Sequence, residues 1–262
     1  MPSRISIIVP VLNAEKTIKQ CITSLLNQDY GNYEIIVINN NSTDKTAAIL
    51  NEFKGRIKIL NEPKRNSYIA RNKGIRHAKG QIIVFTDSDC IAEKDWLKNI
   101  SGAFDNKAVK IAGGEIRAYR IKNSVQKYLD IFGHPQNLSA KCNKPYFAGS
   151  NIAVRKKTLL EVGMFNENLL SGGDYEICLR IIKNKNEIQF VPNALVNHFY
   201  SKSLIKFMKK QYYYGKWQKE IRKYPAHVQL PGLFQILREY GLIFFFIRVI
   251  GDISYSLGYL LG

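Results

Sequence analysis

Acidic residues and cysteines are both scarce in this chain, and each shortage narrows what it can be. Of 262 residues only 21 are Asp or Glu, against 39 Lys or Arg, for a formal net charge of +18. A surface so short of carboxylates favours anionic partners: nucleic acid, acidic lipid headgroups or phosphorylated small molecules. The four cysteines, Cys21, Cys90, Cys142 and Cys178, are widely separated and include no Cys-x-x-Cys pair. They read as small core residues in a reducing compartment, which argues against a disulfide scaffold. Repeats and low-complexity tracts are also missing. The first twelve residues carry only a short apolar stretch broken by Pro10, so they read as a strand and a turn rather than a leader or a membrane span. What is plentiful is core material, with 45% hydrophobic and 11% aromatic residues, enough for one α/β domain and an appendage.

Apolar runs and helical patterns alternate through the first ninety residues. Residues 5–9 read as a buried strand, and 14–26 follow with Ile18, Ile22, Leu25 and Leu26 on one helical face. A strand at 34–38, a cap at Ser42-Thr43-Asp44 and a helix at 47–53 come next, then a strand at 57–60, a helix at 68–78 and a strand at 81–85. This alternation predicts a mostly parallel, doubly wound α/β sheet that binds ligands at the carboxyl ends of its strands. Polar residues gather at those ends: Asn13 and Glu15, residues 39–42, then Asp87 and Asp89. The two aspartates are spaced i, i+2, so on an extended backbone both side chains fall on one side and can hold a hard divalent cation. The bland alternative is a pair of solvated loop residues.

Further on, strand-like runs at 111–119, 146–148 and 152–154 flank a polar loop at 133–144. A helix is expected at 174–182 after Gly172-Gly173, then two short strands at 188–191 and 194–196 leading to His198. Beyond Tyr200 the composition changes. Residues 203–223 form a basic helical pattern, and between 202 and 248 ten basic side chains face two acidic ones. The apolar segment 242–260 approaches the length of a membrane span but contains Arg248 and Asp252, so an interfacial or re-entrant element is expected on an anionic membrane surface. A solvated basic face with a core or dimerisation helix is the alternative. The expected division is 1–200 for the α/β domain that binds ligand at its strand ends and 201–262 for a helical extension that associates with membrane or with a further substrate.

Several motifs stand in one order. They are Ile7-Ile8-Val9-Pro10-Val11-Leu12-Asn13, residues 34–44 with Asn39-Asn40-Asn41-Ser42-Thr43-Asp44, Ala70-Arg71-Asn72-Lys73-Gly74, Asp87-Ser88-Asp89, Gly173-Asp174-Tyr175-Glu176 and His198. Together they resemble a family 2 glycosyltransferase of the GT-A fold, over about residues 4–217. The resemblance implies transfer of a sugar from a nucleotide diphosphate to an acceptor hydroxyl with inversion at the anomeric carbon. It implies Asp87 and Asp89 at a Mn²⁺ or Mg²⁺ ion with His198 as a further ligand, and Asp174 as the base that takes the acceptor proton. The same resemblance assigns Pro10, Asn13, Glu15, Asn39, Arg71, Asp87 and Ser88 to the nucleotide, and Ser150, Asn151, Gly173 and Glu176 to donor sugar or acceptor.

Two departures stand out. The family usually has Asp where Asn39 stands, so the base is open, with a UDP-sugar the first choice and thymidine or guanosine donors next. It more often has Glu-Asp where this chain has Gly173-Asp174. The Gln-x-x-Arg-Trp signature of processive synthases is absent, since Gln211 is followed by Tyr214-Gly215, which implies one sugar per encounter. The expected setting is the cytoplasmic face of the cell membrane, with a glycan or lipid-linked acceptor. Polyprenyl phosphate as acceptor is the alternative enzyme reading. A basic nucleic-acid-binding or lipid-binding module is the alternative from another class; no nucleic-acid partner is expected, since such a module would set Asp87, Asp89 and Asp174 against phosphate.

Overall fold

A computed structural model describes residues 4–134, 146–183, 187–221 and 232–261. The first part is a regular βα alternation: β1 Ile5–Val11, α1 Ile18–Leu26, β2 Tyr33–Asn39, α2 Thr46–Asn51, β3 Lys58–Asn61, α3 Ser67–His77 and β4 Ile82–Phe85. β5 Cys90–Ala92, α4 Trp96–Gly102, β6 Val109–Ala118, α5 Ser124–Phe132, β7 Ile152–Arg155, α6 Lys156–Glu161, α7 Gly173–Lys183 and β8 Glu187–His198 complete the sheet and its helices. The eight strands lie in the order β3-β2-β1-β4-β7-β6-β8-β5. Pairing is parallel from β3 to β4 and between β6 and β8, and antiparallel where β7 and β5 join.

Successive strand residues sort to opposite faces of the sheet. In β1 and β2, Ile5, Ile7, Val9, Ile35 and Val37 enter one core cluster with α1 and α4, while Ile8, Ile36 and Ile38 enter another with α3 and α7. Strands buried on both faces read as continuous apolar runs, which is why the sequence marks them so clearly. Pro10 lies two residues past the last β1–β4 pair at Ile8, where one flank of the strand no longer needs a ladder donor. Asn66 caps α3 by accepting from the Tyr68 and Ile69 N–H groups.

Two expectations change. Residues 188–191 and 194–196 belong to one strand: the ladder with β6 skips from Val191 to Val196 and re-forms, so Pro192 sits inside an irregularity rather than at an end. Residues 146–148 join no strand; they run irregularly into a turn at Gly149. The expected loop at 133–144 lies mostly outside the described residues, as does Cys142.

A third cluster joins α5 to the C-terminal helices α8 Leu204–Ile221, α9 Leu233–Tyr240 and α10 Leu242–Leu261, with Tyr128, Phe132, Phe207, Ile236, Phe244 and Ile247 buried together. α10 meets α8 backbone to backbone. A Cβ on Gly258 would lie 1.9 Å from the Tyr212 carbonyl oxygen, and one on Gly215 would lie 1.8 Å from that of Tyr255. The opposite face of α10 exposes Ile243, Phe246, Ile253, Leu257 and Leu260. Among the described residues α10 is long and apolar enough to cross a membrane by length and composition, and Arg248 pairs with Asp252 one turn on at 2.8 Å.

Candidate active site

The site is built where β1, β2 and β4 end. Beyond β1 the chain turns through Asn13, which adopts the left-handed conformation (φ 51°) that Asn tolerates. Asn13 accepts from Thr43 N–H at 2.8 Å and donates its own N–H to Ser42 Oγ at 3.0 Å. Glu15 accepts from Lys45 N–H, and Asp44 accepts from Glu15 N–H, both at 3.1 Å. The loops after β1 and β2 are therefore laced together before any ligand arrives. Asn39 accepts from Ser42 N–H at 3.2 Å, which engages one lone pair of its oxygen and leaves the other, with the side-chain NH₂, to offer a ligand.

β4 delivers Asp87, Ser88 and Asp89, all half-buried. Asp87 accepts from Arg71 Nη2 at 2.7 Å, and the Arg71 guanidinium lies 5.8 and 5.9 Å from the ring centres of Tyr68 and Phe165. Arg71 is buried, and its Nε has no hydrogen-bond partner among the described residues. The antiparallel β5–β8 register sets His198 opposite Cys90, which brings His198 Nε2 to 3.6 Å from Asp89 Oδ1. That is too long for a hydrogen bond and suits two ligands of one ion, which would each lie about 2.1 Å from it. Burial lowers the His198 pKa, outweighing the opposite pull of Asp89, so the imidazole keeps a lone pair to offer. Its ring stacks on Tyr200 at 4.6 Å, which fixes its plane. Cys90 also lies within reach, but burial holds its thiol protonated and it packs in the core, so the hard-ion donors are Asp89 and His198. These residues fit Mn²⁺ or Mg²⁺, with the imidazole favouring Mn²⁺.

Asp174 opens α7 and accepts from Gly149 N–H at 3.0 Å. The turn at Gly149 therefore ties it to the wall of the site carrying Arg71 and Asp87, since a Cβ on Gly149 would lie 3.0 Å from Arg71 Nη2. Ser150 is buried with its hydroxyl unpartnered among the described residues, and so is that of Thr86 beside Asp87. Buried polar atoms without partners call for a ligand or water.

Three of the residues expected to meet a sugar are engaged by the protein itself. Asn151 is fully buried; it accepts from Trp96 Nε1 at 2.9 Å and donates to the carbonyls of Glu115 and Ala194, both at 2.8 Å, which leaves nothing for a sugar. Glu176 is buried and grips Arg180 through both oxygens at 2.6 and 2.7 Å, and Arg180 in turn holds the Val162 and Met164 carbonyls. Gly173 donates its N–H to the Tyr68 hydroxyl at 2.8 Å, and a Cβ there would lie 2.7 Å from the Tyr68 ring. The Tyr68 ring therefore fills the space that a glutamate at this position would need. Tyr68 and Tyr200 were missed in the sequence because the partners that reveal them, Gly173 and His198, are remote or irregular in spacing.

The match to known proteins follows this geometry. Residues 6–163 match the model of glycosyl transferase family 2. The chain belongs to that family. It is 34% identical to UDP-Glc:α-D-GlcNAc-diphosphoundecaprenol β-1,3-glucosyltransferase of Escherichia coli, over 70% of this chain and 71% of that one. It is 30% identical to the dolichyl N-acetyl-α-D-glucosaminyl phosphate 3-β-D-2,3-diacetamido-2,3-dideoxy-β-D-glucuronosyltransferase of Methanococcus voltae, over 80% and 71%. The mannosyltransferase of Pyrobaculum calidifontis, solved with GDP-Man and Mn²⁺, shares the fold at a TM-score of 0.67 and 20% identity, over 100% of this chain and 76% of that one. The glycosyltransferase is thus of the GT-A fold, with apolar helices at its C-terminus.

Proposed function

We propose that this glycosyltransferase moves a single sugar, with inversion and metal dependence, from a nucleotide-diphosphate donor to a hydroxyl of a lipid-linked or cell-surface glycan. The observation that carries the reading is the approach of His198 Nε2 to Asp89 Oδ1 at 3.6 Å, with Asp174 held by the Gly149 N–H beside Arg71 and its partner Asp87. Asp89 and His198, with Asp87 alongside, would hold a Mn²⁺ or Mg²⁺ ion, which would supply Lewis-acid stabilisation for the leaving diphosphate. Arg71 adds a fixed positive charge beside Asp87 and has an N–H to spare for ribose or phosphate. Asp174 takes the proton of the attacking hydroxyl, and inversion follows from attack on the face opposite the leaving group.

Pro10, Asn13 and Glu15 frame the base and ribose, Ser88 lies beside the diphosphate, and Ser150 offers its hydroxyl to the donor sugar. Asn39 meets the base as a donor, which suits a carbonyl of uracil, thymine or guanine. A UDP-sugar is the first choice, in keeping with the donor named for the Escherichia coli relative. In this reading residues 1–200 hold the chemistry and 201–262 address the acceptor from the cytoplasmic face of an anionic membrane. Two relatives named for lipid-linked acceptors support that side of it, as does the exposed apolar face of α10. Polyprenyl phosphate itself as acceptor is a second reading, favoured by the lysines of α8.

The test is binding and hydrolysis of UDP-, dTDP- and GDP-sugars with and without Mn²⁺, with Asp89→Ala as control. Metal-dependent turnover of one donor, reduced about a thousandfold in the variant, is the expected result. Failure to bind any donor under any metal would sink the reading.

A further inference from the structure

Cys90 stands beside Asp89 and His198, and the proposed chemistry does not use it. A carboxylate oxygen of Asp89, the Cys90 Sγ and a ring nitrogen of His198 all lie within 4.8 Å of one another. Cys90 and His198 face each other directly in the antiparallel β5–β8 ladder, so their side chains leave the sheet on the same side. The backbone that carries the three is pinned. Cys90 N–H donates to the Asp87 carbonyl at 3.1 Å, Phe199 N–H to that of Asp89 at 2.9 Å, and Tyr119 N–H to that of His198 at 2.9 Å. The Tyr200 ring, stacked on His198 at 4.6 Å, holds the imidazole plane.

The composition of this set separates one class of ion from another. Mn²⁺ and Mg²⁺ seek oxygen and imidazole and leave a thiol alone, whereas Zn²⁺ takes thiolate, imidazole and carboxylate together. A tetrahedral Zn²⁺ with bonds of about 2.0–2.3 Å separates its ligand atoms by about 3.3–3.8 Å. The 3.6 Å between His198 Nε2 and Asp89 Oδ1 falls in that range. Asp87, paired with Arg71 at 2.7 Å, stands outside the set. Asp89 and a Cys90 thiolate supply the two negative charges that balance a dication, so the buried side of the cluster keeps no uncompensated charge. The thiol proton passes to the buffer as the sulfur–zinc bond forms.

We propose that Asp89, Cys90 and His198 form a Zn²⁺ site, and that zinc bound there inhibits the enzyme by excluding the working ion. An ion held by three protein ligands in tetrahedral geometry has one position left, whereas a leaving diphosphate needs an ion with several open positions. Zn²⁺ stands above Mn²⁺ in affinity for nitrogen, oxygen and sulfur donors, and the thiolate widens the gap. The zinc site stands on the placement of three side chains. Its inhibitory role rests also on the glycosyltransferase reading, since it needs Asp89 and His198 to serve the working ion.

Cobalt reports the thiolate directly. Full-length protein, reduced and stripped of metal, is titrated with Co²⁺, whose bond to a thiolate gives a charge-transfer band in the near ultraviolet that oxygen and nitrogen ligands do not give. The band is expected to saturate with equimolar Co²⁺ and to be bleached by equimolar Zn²⁺. It should vanish in Cys90→Ser, and the Co²⁺ affinity should fall at least about tenfold in His198→Ala. Bound Mn²⁺ is then followed by electron paramagnetic resonance in the presence of UDP. Zn²⁺ is expected to release Mn²⁺ from the unaltered protein at a concentration at least about tenfold lower than Cys90→Ser requires.

Absence of the band from the unaltered protein at saturating Co²⁺ would overturn the site without any variant being needed. A band that survived in Cys90→Ser would belong to another cysteine and would overturn it equally. Should that variant not fold, His198→Ala with undiminished Co²⁺ affinity serves the same purpose, since the cysteine is then intact and the cluster is not. A band bleached by Zn²⁺ while Mn²⁺ stays bound would keep the zinc site and overturn the inhibition. Failure of Mn²⁺ to bind, with or without UDP, would remove the parent reading and leave the cobalt band to decide the zinc site.

Discussion

The two ends of the site are finished to different degrees. At the donor end Asn13, Glu15, Asn39, Ser42 and Asp44 already hold one another across two loops, and Arg71 is pinned to Asp87 between two rings. At the end nearer α8 the surface is open: Leu170, Tyr213 and Tyr214 are 53%, 58% and 40% exposed, and α10 turns an apolar face outward. A preorganised site binds its ligand without a further ordering cost, so in the proposed reading the nucleotide meets a rigid frame. The lesson is that rigidity lies where polar side chains bond one another across loops, and open surface where aromatic and apolar side chains lack such partners.

The most severe way to separate the two ends is Asp174→Asn. We expect kcat for a sugar-hydroxyl acceptor to fall about 10²- to 10⁴-fold with donor KM little changed, since the role proposed for Asp174 concerns the acceptor alone. A loss below about tenfold in steady-state assays would transfer the acceptor role to an already ionised phosphate.

Asn151→Ala sharpens the comparison from the framework side. Removing an amide that satisfies three buried partners should cost about 2–4 kcal/mol in urea unfolding, while the folded fraction keeps its donor KM. A raised KM at unchanged stability would return Asn151 to the sugar.

The smallest effect concerns Glu167, which joins α3 to the loop leading toward Asp174. It accepts from Asn72 and pairs with Arg76, and these partners hold its carboxyl below the usual range, Asn72 foremost. A carboxyl lowered in the fold stabilises above its unfolded pKa, and the contribution fades as pH drops through the folded value. The Tm gap between the protein and Glu167→Gln should therefore be present at neutral pH and close on acidification through about pH 4. A gap that widened in acid would contradict the ion pair.

The donor half could be read from the sequence because β1 to β4 are buried on both faces and their helices carry one apolar stripe each, so pattern and structure coincide. Asp87 and Asp89 were legible for the same reason, as carboxylates ending an apolar run. Asn151 was not, because Trp96, Glu115 and Ala194 come to it from three distant elements. Glu176 sits in the motif that carries Asp174, and its commitment to Arg180 shows only once α7 has a buried side. Pro192 made one strand look like two, since the register shift that absorbs it depends on a partner strand eighty residues away.

The contact between Gly173 and the Tyr68 ring has a consequence in descent. Relatives that carry glutamate beside the base need room where this ring lies, so a change at 173 is viable only with a smaller side chain at 68, and the reverse. The two positions, 105 residues apart in the chain, are expected to evolve as one locus.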